Sequence, residues 1–292
     1  MSEATSSPKA TPYSELMRSI RRLLHEPLGV FSLSLVVLVI FGAIFADFLT
    51  NWDPTRINPR DRFLSPSGDH LLGTDQLGRD LFARVLYGGR IALYVALVST
   101  AISLAIGMVL GMIAGYGPRW LDNLLILMFD AMKSFPTVML ALALVTITGP
   151  SLAAVILVVI LVNVPGYARI VRTQTIAIKT SEFVMAAQSM GASTARILRV
   201  HIMPNVLGPL VILASMDIPV VIAIEAGMSF LGLGVRPPTP SWGSILNDGF
   251  GQIRETSWIA IAGGLPIIIT TLGFTFLGET LRDVFDPRLK GR

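Results

Sequence analysis

Long runs of apolar residues separated by polar segments set the pattern of this 292-residue chain. The first run, 28–48, is followed by a polar stretch over 51–88 rich in Asp, Arg, Gly and Pro. A second run covers 91–116, a third and less clean one 124–147, and a fourth 152–167. After another polar segment come a fifth, 206–235, and a sixth, 258–277. About 20 apolar residues in a helix cross the ~30 Å of bilayer hydrocarbon, where only helices and closed barrels satisfy their own backbone. The pattern therefore predicts an all-α membrane protein with six transmembrane helices. The first run is too long for a signal-peptide core and lacks an A-x-A-like cleavage site, so it reads as a retained span.

Within the second run Gly107, Gly111 and Gly115 recur every four residues. Small residues at that spacing let helices approach closely in lipid, where packing drives association. Six spans place both termini on one side. Lys9, Arg18, Arg21 and Arg22 lie before the first span, and Arg282, Arg288, Lys290 and Arg292 after the last. Arg169, Arg172, Lys179, Arg196 and Arg199 surround the polar segment between spans four and five. The positive-inside rule makes that side the cytoplasm. Against it, the 51–88 stretch carries Arg56, Arg60, Arg62, Arg79 and Arg84, with Asp53, Asp61, Asp69, Asp75 and Asp80 as charge partners. The expected organisation is a cytoplasmic tail over 1–27, a first transmembrane helix over 28–50 and an external loop over 51–88. A core of five further helices follows over 89–280, with a cytoplasmic loop at about 181–204, and a cytoplasmic tail over 281–292.

Composition agrees with this pattern and removes several functions. The chain is 52% hydrophobic and 14% charged, with a mean hydropathy of +0.67, far from soluble domains. Without cysteine there are no disulfides, thiolate metal sites or Cys nucleophiles. The pI near 9.7 comes from basic residues scattered at span ends, which suits topology better than a nucleic-acid patch. His25, His70 and His201 form no H-E-x-x-H, and there is no G-x-S-x-G elbow. Lys9, Lys133, Lys179 and Lys290 each lack the preceding Gly of a phosphate-binding loop, so neither cofactor nor catalytic residue is expected in this chain.

The polar segment 182–205, EFVMAAQSMGASTARILRVHIMPN, wedges a helix-forming stretch between two spans. A helix beginning near Ser181 would put Ala186, Ala187 and Met190 on one face as a small apolar knob, with Gly191 as a left-handed or flexible exit. Glu182 opens the segment and Pro204 marks the approach to the fifth span. The alternative is an ordinary linker helix. Ala186, Ala187, a three-residue gap, Gly191 and the I-M-P of 202–204 resemble the "EAA" loop of ABC-importer permeases. Met185 stands where that family usually has Glu, and His201 where it usually has Ile.

Three further strings carry the same resemblance. HLLGTDQLGRDLFARVLYGG over 70–89 resembles the signature before the second span of "C"-type permeases for dipeptides, oligopeptides and nickel. By its residues alone it is a structured loop: Gly73 and Gly78 permit turns, Thr74 or Asp75 could cap a short helix, and Asp80 with Arg84 has helical i,i+4 spacing. Arg79 completes the signature. MSFLGLGVRPPTPSWGSIL over 228–246 is similar to the family's SFLGLG and PPTPSWG run; Gly232 and Gly234 loosen the helix end and Pro237, Pro238 and Pro240 force an extended path. It reads as a loop folding back at the outer mouth of a pathway, against a simple rigid turn. FLGETLRDVFDPR over 276–288 is similar to the family's closing run, where Arg282, Asp283, Asp286 and Arg288 could pair at the membrane surface or cap a helix end.

Ionisable residues inside spans are costly and usually face a bundle interior or water. Asp130 and Lys133, three apart, could neutralise each other. Asp217, Glu225, Met228 and Ser229 are candidate pathway or gate residues. Glu225 is favoured because it lies near the SFLGLG turn, where water could enter, whereas Asp217 beside Pro219 suits backbone or interhelical bonding.

The resemblance covers the chain from about residue 28 onward and implies the type I ABC-importer permease fold with a cytoplasmic coupling helix. It implies a bacterial inner-membrane subunit that pairs with a second permease, two cytoplasmic ATPases and an external solute-binding protein. ATP and magnesium would belong to those ATPases. The substrate stays open between dipeptide, oligopeptide, glutathione, nickel chelate and oligosaccharide. A self-contained channel or secondary transporter is the rival reading, and an intramembrane hydrolase a second; few coupling-ion residues and no paired nucleophile and base support them.

Overall fold

The computed structural model describes residues 24–285. The basic residues Lys9, Arg18, Arg21, Arg22, Arg288, Lys290 and Arg292, and the expected pairs involving Asp283 and Asp286, lie outside what is described. Helices come in the order α1 (Pro27–Ile44), α2 (Ala46–Leu49), α3 (Leu81–Tyr116), α4 (Arg119–Ser134), α5 (Thr137–Thr148) and α6 (Leu152–Lys179). They continue as α7 (Glu182–Ser189), α8 (Thr194–Arg196), a π-helical turn (Ile197–Ile202), α9 (Met203–Phe230), α10 (Trp242–Gly251) and α11 (Trp258–Phe285). Five helical stretches are long and apolar enough to cross a membrane, and α4 with α5 qualifies only as a pair bent by 90°. The expected third span is therefore a broken one. Pro136 explains the break: the residue before a proline is pushed from helical to extended backbone, and Phe135 has φ −82°, ψ 128°.

Two spans are longer than the apolar runs suggest. Helix α3 starts ten residues before Ile91 because Asp80 caps it, its carboxylate accepting from Ala83 N at 2.7 Å. Its 36 residues extend about 54 Å, so the first turns stand above the hydrocarbon. Helix α6 continues past Tyr167 to Lys179, and its arginines pair with carboxylates of α4. Arg172 holds Asp122 of α4 through two nitrogens, and Arg169 pairs with Asp130. The expected Asp130–Lys133 neutralisation is thereby replaced.

Helices α3 and α6 run parallel and form the most extensive contact in the molecule. A Cβ at Gly107 would lie 2.6 Å from that of Tyr167, one at Gly111 2.6 Å from Val171, and one at Gly115 2.7 Å from Thr175. Both series advance by four residues, so one ridge of α6 seats on the glycine stripe of α3. A parallel pair requires the intervening chain to return the full length of the bundle, which α4 and α5 do. Val155, Val158, Val159, Val221, Ile222 and Ile245 are buried in the central core, to which Ala141 and Val145 of α5 also belong. A second core, around Tyr167, Val171, Val184, Ile197, Ile202 and Val206, lies toward the α7 end.

Candidate functional site

At one end of the bundle α7 stands out from the last turn of α6. Val184 is fully buried in the second core and Ala187 is nearly so. The expected knob of Ala186, Ala187 and Met190 is corrected here: Ala187 faces inward as an anchor, and the exposed face is Phe183, Met185, Ala186 and Met190. Met190 is 82% exposed. Glu182 lies exposed in the first turn. Gly191 leaves the helix at φ +79° with nothing near its missing Cβ, so backbone shape rather than crowding selects glycine. Lys179 Nζ donates to the Tyr116 carbonyl at 2.9 Å, and Gln188 Nε2 reaches the Tyr116 hydroxyl at 3.1 Å. These bonds tie the α7 hairpin to the end of α3. Beyond Gly191 the π-helical turn runs without a break into α9, with Pro204 at the junction.

The opposite end is closed by the 70–89 string. Gly73 (φ +70°) and Gly78 (φ +73°) are packed against the backbone of Leu64 and Asn58, leaving no room for a side chain. Neither Thr74 nor Asp75 caps a helix. The Thr74 hydroxyl donates to the Asp61 carbonyl and accepts from Leu64 N at 2.9 Å. Asp75 is buried and accepts from Leu77 N at 2.8 Å, Arg79 N at 3.0 Å and Arg79 Nε at 2.6 Å. Asp80 does not pair with Arg84; besides capping α3 it meets His70 Nδ1 at 2.8 Å. Arg84 instead lies 3.6 Å from Asp75 and, with Arg79, reaches Asp248 of α10 at 3.3 and 3.1 Å.

Asp248 was not anticipated from the sequence, although it is one of the few charges near the PPTPSWG string and two loop arginines lacked distant partners. Three indoles complete the closure. Trp242 Nε1 donates to the Val85 carbonyl at 2.8 Å, Trp258 Nε1 to Leu72 at 2.6 Å and Trp52 Nε1 to Asp69 at 2.9 Å. Trp242 lies on Gly88 and Gly89, where a Cβ would come within 2.9 and 3.2 Å of its ring. The two family-like strings are thus a lock and its socket. After Gly232 (φ +75°) the proline run leads into α10, a helix rather than an open loop, which starts with the Ser241–Ser244 capping box.

The candidate carboxylates sit between these ends. Glu225 has no exposed surface. One of its oxygens accepts from Ser229 Oγ at 2.8 Å, and the other points toward Ser241 without a well-formed bond. The expectation of an aqueous Glu225 is overturned: α10 folds back over this end of α9 and seals it. Met228 and Ser229 are buried beside it. Asp217 is half-buried, close to the Tyr167 hydroxyl and under the field of Lys133, with no well-formed hydrogen bond to either. Among the described residues no group of three His, Asp or Glu could hold a metal ion.

Comparison with known proteins gives the following. The family described as binding-protein-dependent transport system inner membrane component matches residues 107–291. The N-terminal TM domain of oligopeptide transport permease C matches 14–66. The dipeptide transport system permease protein DppC of Alkalihalophilus pseudofirmus is 38% identical, over 96% of this chain and 92% of its own. The glutathione transport system permease protein GsiD of Pectobacterium atrosepticum is also 38% identical, over 96% and 92%. A putative peptide transport system permease protein of Brucella suis is 38% identical, over 95% and 93%. Among solved structures, the MetNI methionine ABC transporter in inward-facing conformations superposes with a TM-score of 0.58 at 20% identity, over 70% of this chain and 97% of that chain. At that identity it speaks for the fold alone.

Proposed function

The chain belongs to the family of binding-protein-dependent transport system inner membrane components, as a permease of the C type, and from that premise we propose that it carries di- or oligopeptides, or a related small solute such as glutathione, across a bacterial inner membrane. It does so as half of a heterodimer with a second permease. Two cytoplasmic ATPases supply ATP and magnesium chemistry, and an external solute-binding protein delivers the cargo. The termini and the α7 hairpin face the cytoplasm; the 51–88 segment and α10 face outside.

One observation carries the coupling assignment. The α7 helix is anchored by Val184 and Ala187, yet turns Phe183, Met185, Ala186 and Met190 outward beyond the end of the bundle. Large apolar side chains exposed on an extramembranous helix mark a docking face, and its anchor joins the core containing Val206 and Leu210 of α9. A push on α7 therefore reaches the fifth span directly. Glu182 and Gly191 frame the helix, and Pro204 lies at the junction with α9.

The test is Gly191→Asp. At φ +79° a residue with a Cβ is strained by roughly 1 kcal/mol, and aspartate adds a charge beside the docking face. The expected outcome is normal insertion and pairing with the second permease, with ATPase co-purification and transport both reduced. Wild-type transport by this variant would overturn the coupling assignment.

A further inference from the structure

An apolar cavity of about 370 Å3 opens between α1 and α3, lined by Ile40, Ala43, Leu93 and Leu97 and floored by Ile218 and Phe274. Arg90 is the one charged residue at its wall. The Arg90 guanidinium meets the Asp47 carboxylate at 2.9 Å, donates to the Ala43 and Ile44 carbonyls, and lies over the Tyr87 ring. Asp47 and Tyr87 in turn wall a separate open cleft of about 570 Å3, which also holds Trp52 and Asp53. The two spaces are neighbours: Arg90 walls the apolar chamber and its ion-pair partner Asp47 walls the cleft, whose lining mixes polar and apolar groups.

We propose that this pair of spaces binds one phospholipid with a primary-ammonium head, phosphatidylethanolamine, its tail in the α1–α3 cavity and its head on Asp47 and Arg90. The inference needs only that the chain spans a membrane, and is independent of which solute is carried.

Depth comes first. The cleft begins where α1 ends at Ile44, and Trp and Tyr favour the level where hydrocarbon gives way to head groups. Polarity comes second. A peptide in the chamber would leave amides unpaired, and an apolar cavity does not hold water well. The wall residues Ile44 and Leu97 are 60% and 59% exposed, so the chamber is open along its outer side, where a narrow, flexible acyl chain can lie with no polar group to satisfy.

Charge selects the head. The Asp47 and Arg90 side chains are 59% and 34% exposed, so both signs reach the mouth. Bonds from Arg90, then Tyr87, hold the Asp47 carboxyl below the usual range, and the Thr55 hydroxyl does the same for Asp53. Both carboxylates are ionised at neutral pH. They can accept N–H bonds from an ethanolamine ammonium, which the methylated head of phosphatidylcholine cannot offer, while Arg90 meets the phosphate.

The test uses the complete complex in vesicles of phosphatidylethanolamine and phosphatidylglycerol, with a trace of phosphatidylethanolamine bearing a diazirine on its tail. After illumination, adducts should concentrate on peptides containing Ile40, Leu93 and Leu97. Leu93→Trp, which fills the chamber, should lower them about five-fold, equivalent to roughly 1 kcal/mol of binding. Leu97→Trp, at an exposed wall position, gives the same readout should Leu93→Trp assemble poorly. Unlabelled phosphatidylethanolamine should compete about three-fold better than phosphatidylcholine, and Asp47→Asn should bring the two to parity, as suits an exposed charge pair. Adducts spread evenly over the lipid-facing helices, or undiminished in both tryptophan variants, would overturn the site. Equal competition by the two lipids in the wild type would overturn the head-group assignment. Labelling in the free chain that vanishes in the complex would give the chamber to the partner instead.

Discussion

Inside the bundle, single atoms decide what a side chain can do. Glu225 was legible in the sequence as an intramembrane carboxylate but not as a sealed one, because the helix that covers it, α10, lies beyond a proline-rich turn. Glutamine offers the same acceptor to Ser229, so Glu225→Gln is expected to retain assembly and transport within about two-fold. Glu225→Ala leaves a cavity and an unpaired hydroxyl, and should destabilise the complex by about 2–4 kcal/mol. Thermal melts in detergent and transport assays check both; an intact but inactive Gln variant would restore the gate role. The glycine stripe is the opposite case, since its spacing alone announced a close approach. In Gly111→Val the added Cβ would lie 2.5 Å from the Ala168 carbonyl oxygen and 2.6 Å from Val171 Cβ, at a cost of about 1–3 kcal/mol or more. The corresponding fall in melting temperature should be partly restored by Val171→Gly, which removes that Cβ.

Helices and loops were legible wherever local chemistry set their limits. Apolar length predicted all six spans, and Pro136, noticed in the third, is where that span breaks. Missed was how far α3 and α6 run past their apolar runs: α3 starts early on the local Asp80 cap, whereas Arg169 and Arg172 of α6 meet partners 39 and 50 residues away. The Asp75–Arg79–Arg84–Asp248 network makes a prediction at this scale. Asp248 is the charged link between α10 and the 70–89 string, beside the Trp242 contacts, and its side chain is only 26% exposed. Asp248→Ala leaves two buried guanidinium groups short of a partner, a loss of about 1–3 kcal/mol after allowing for its partial exposure. Proteolysis should then cut the 52–80 segment sooner, while the α7 end keeps its wild-type protection. Equal loss of protection at both ends would mean that the network supports the whole bundle rather than this closure.

Across the whole molecule, the two ends carry different chemistry: a charge-locked, indole-bonded closure at one and an exposed apolar helix at the other. The parallel α3–α6 pair ties the two ends to opposite membrane faces. With no cysteine in the chain, single cysteines report sidedness directly. A cysteine at Ser67 or Asn247 should react with an impermeant maleimide added to intact cells, and one at Ser189 only after the membrane is opened. Reaction of Ser189→Cys from outside would invert the molecule and remove α7 from the cytoplasm.

The sequence by itself determined that the chain spans a membrane, where its apolar segments lie, which glycines meet another helix, and which family it resembles. Those properties follow from length, periodicity and short strings whose physical causes are local. Tertiary structure alone decided which partners the charges take. Asp80 turned to His70 and Asp75 to Arg79 within the folded 70–89 string, whereas Asp130 met Arg169 and Asp248 met Arg79 and Arg84 because packing brings together charges up to 169 positions apart. It also decided that Ala187 faces in, that Glu225 is closed from water, and that α1 and α3 leave an apolar chamber between them. Such facts depend on where helices sit across one another, which no spacing along a single chain encodes.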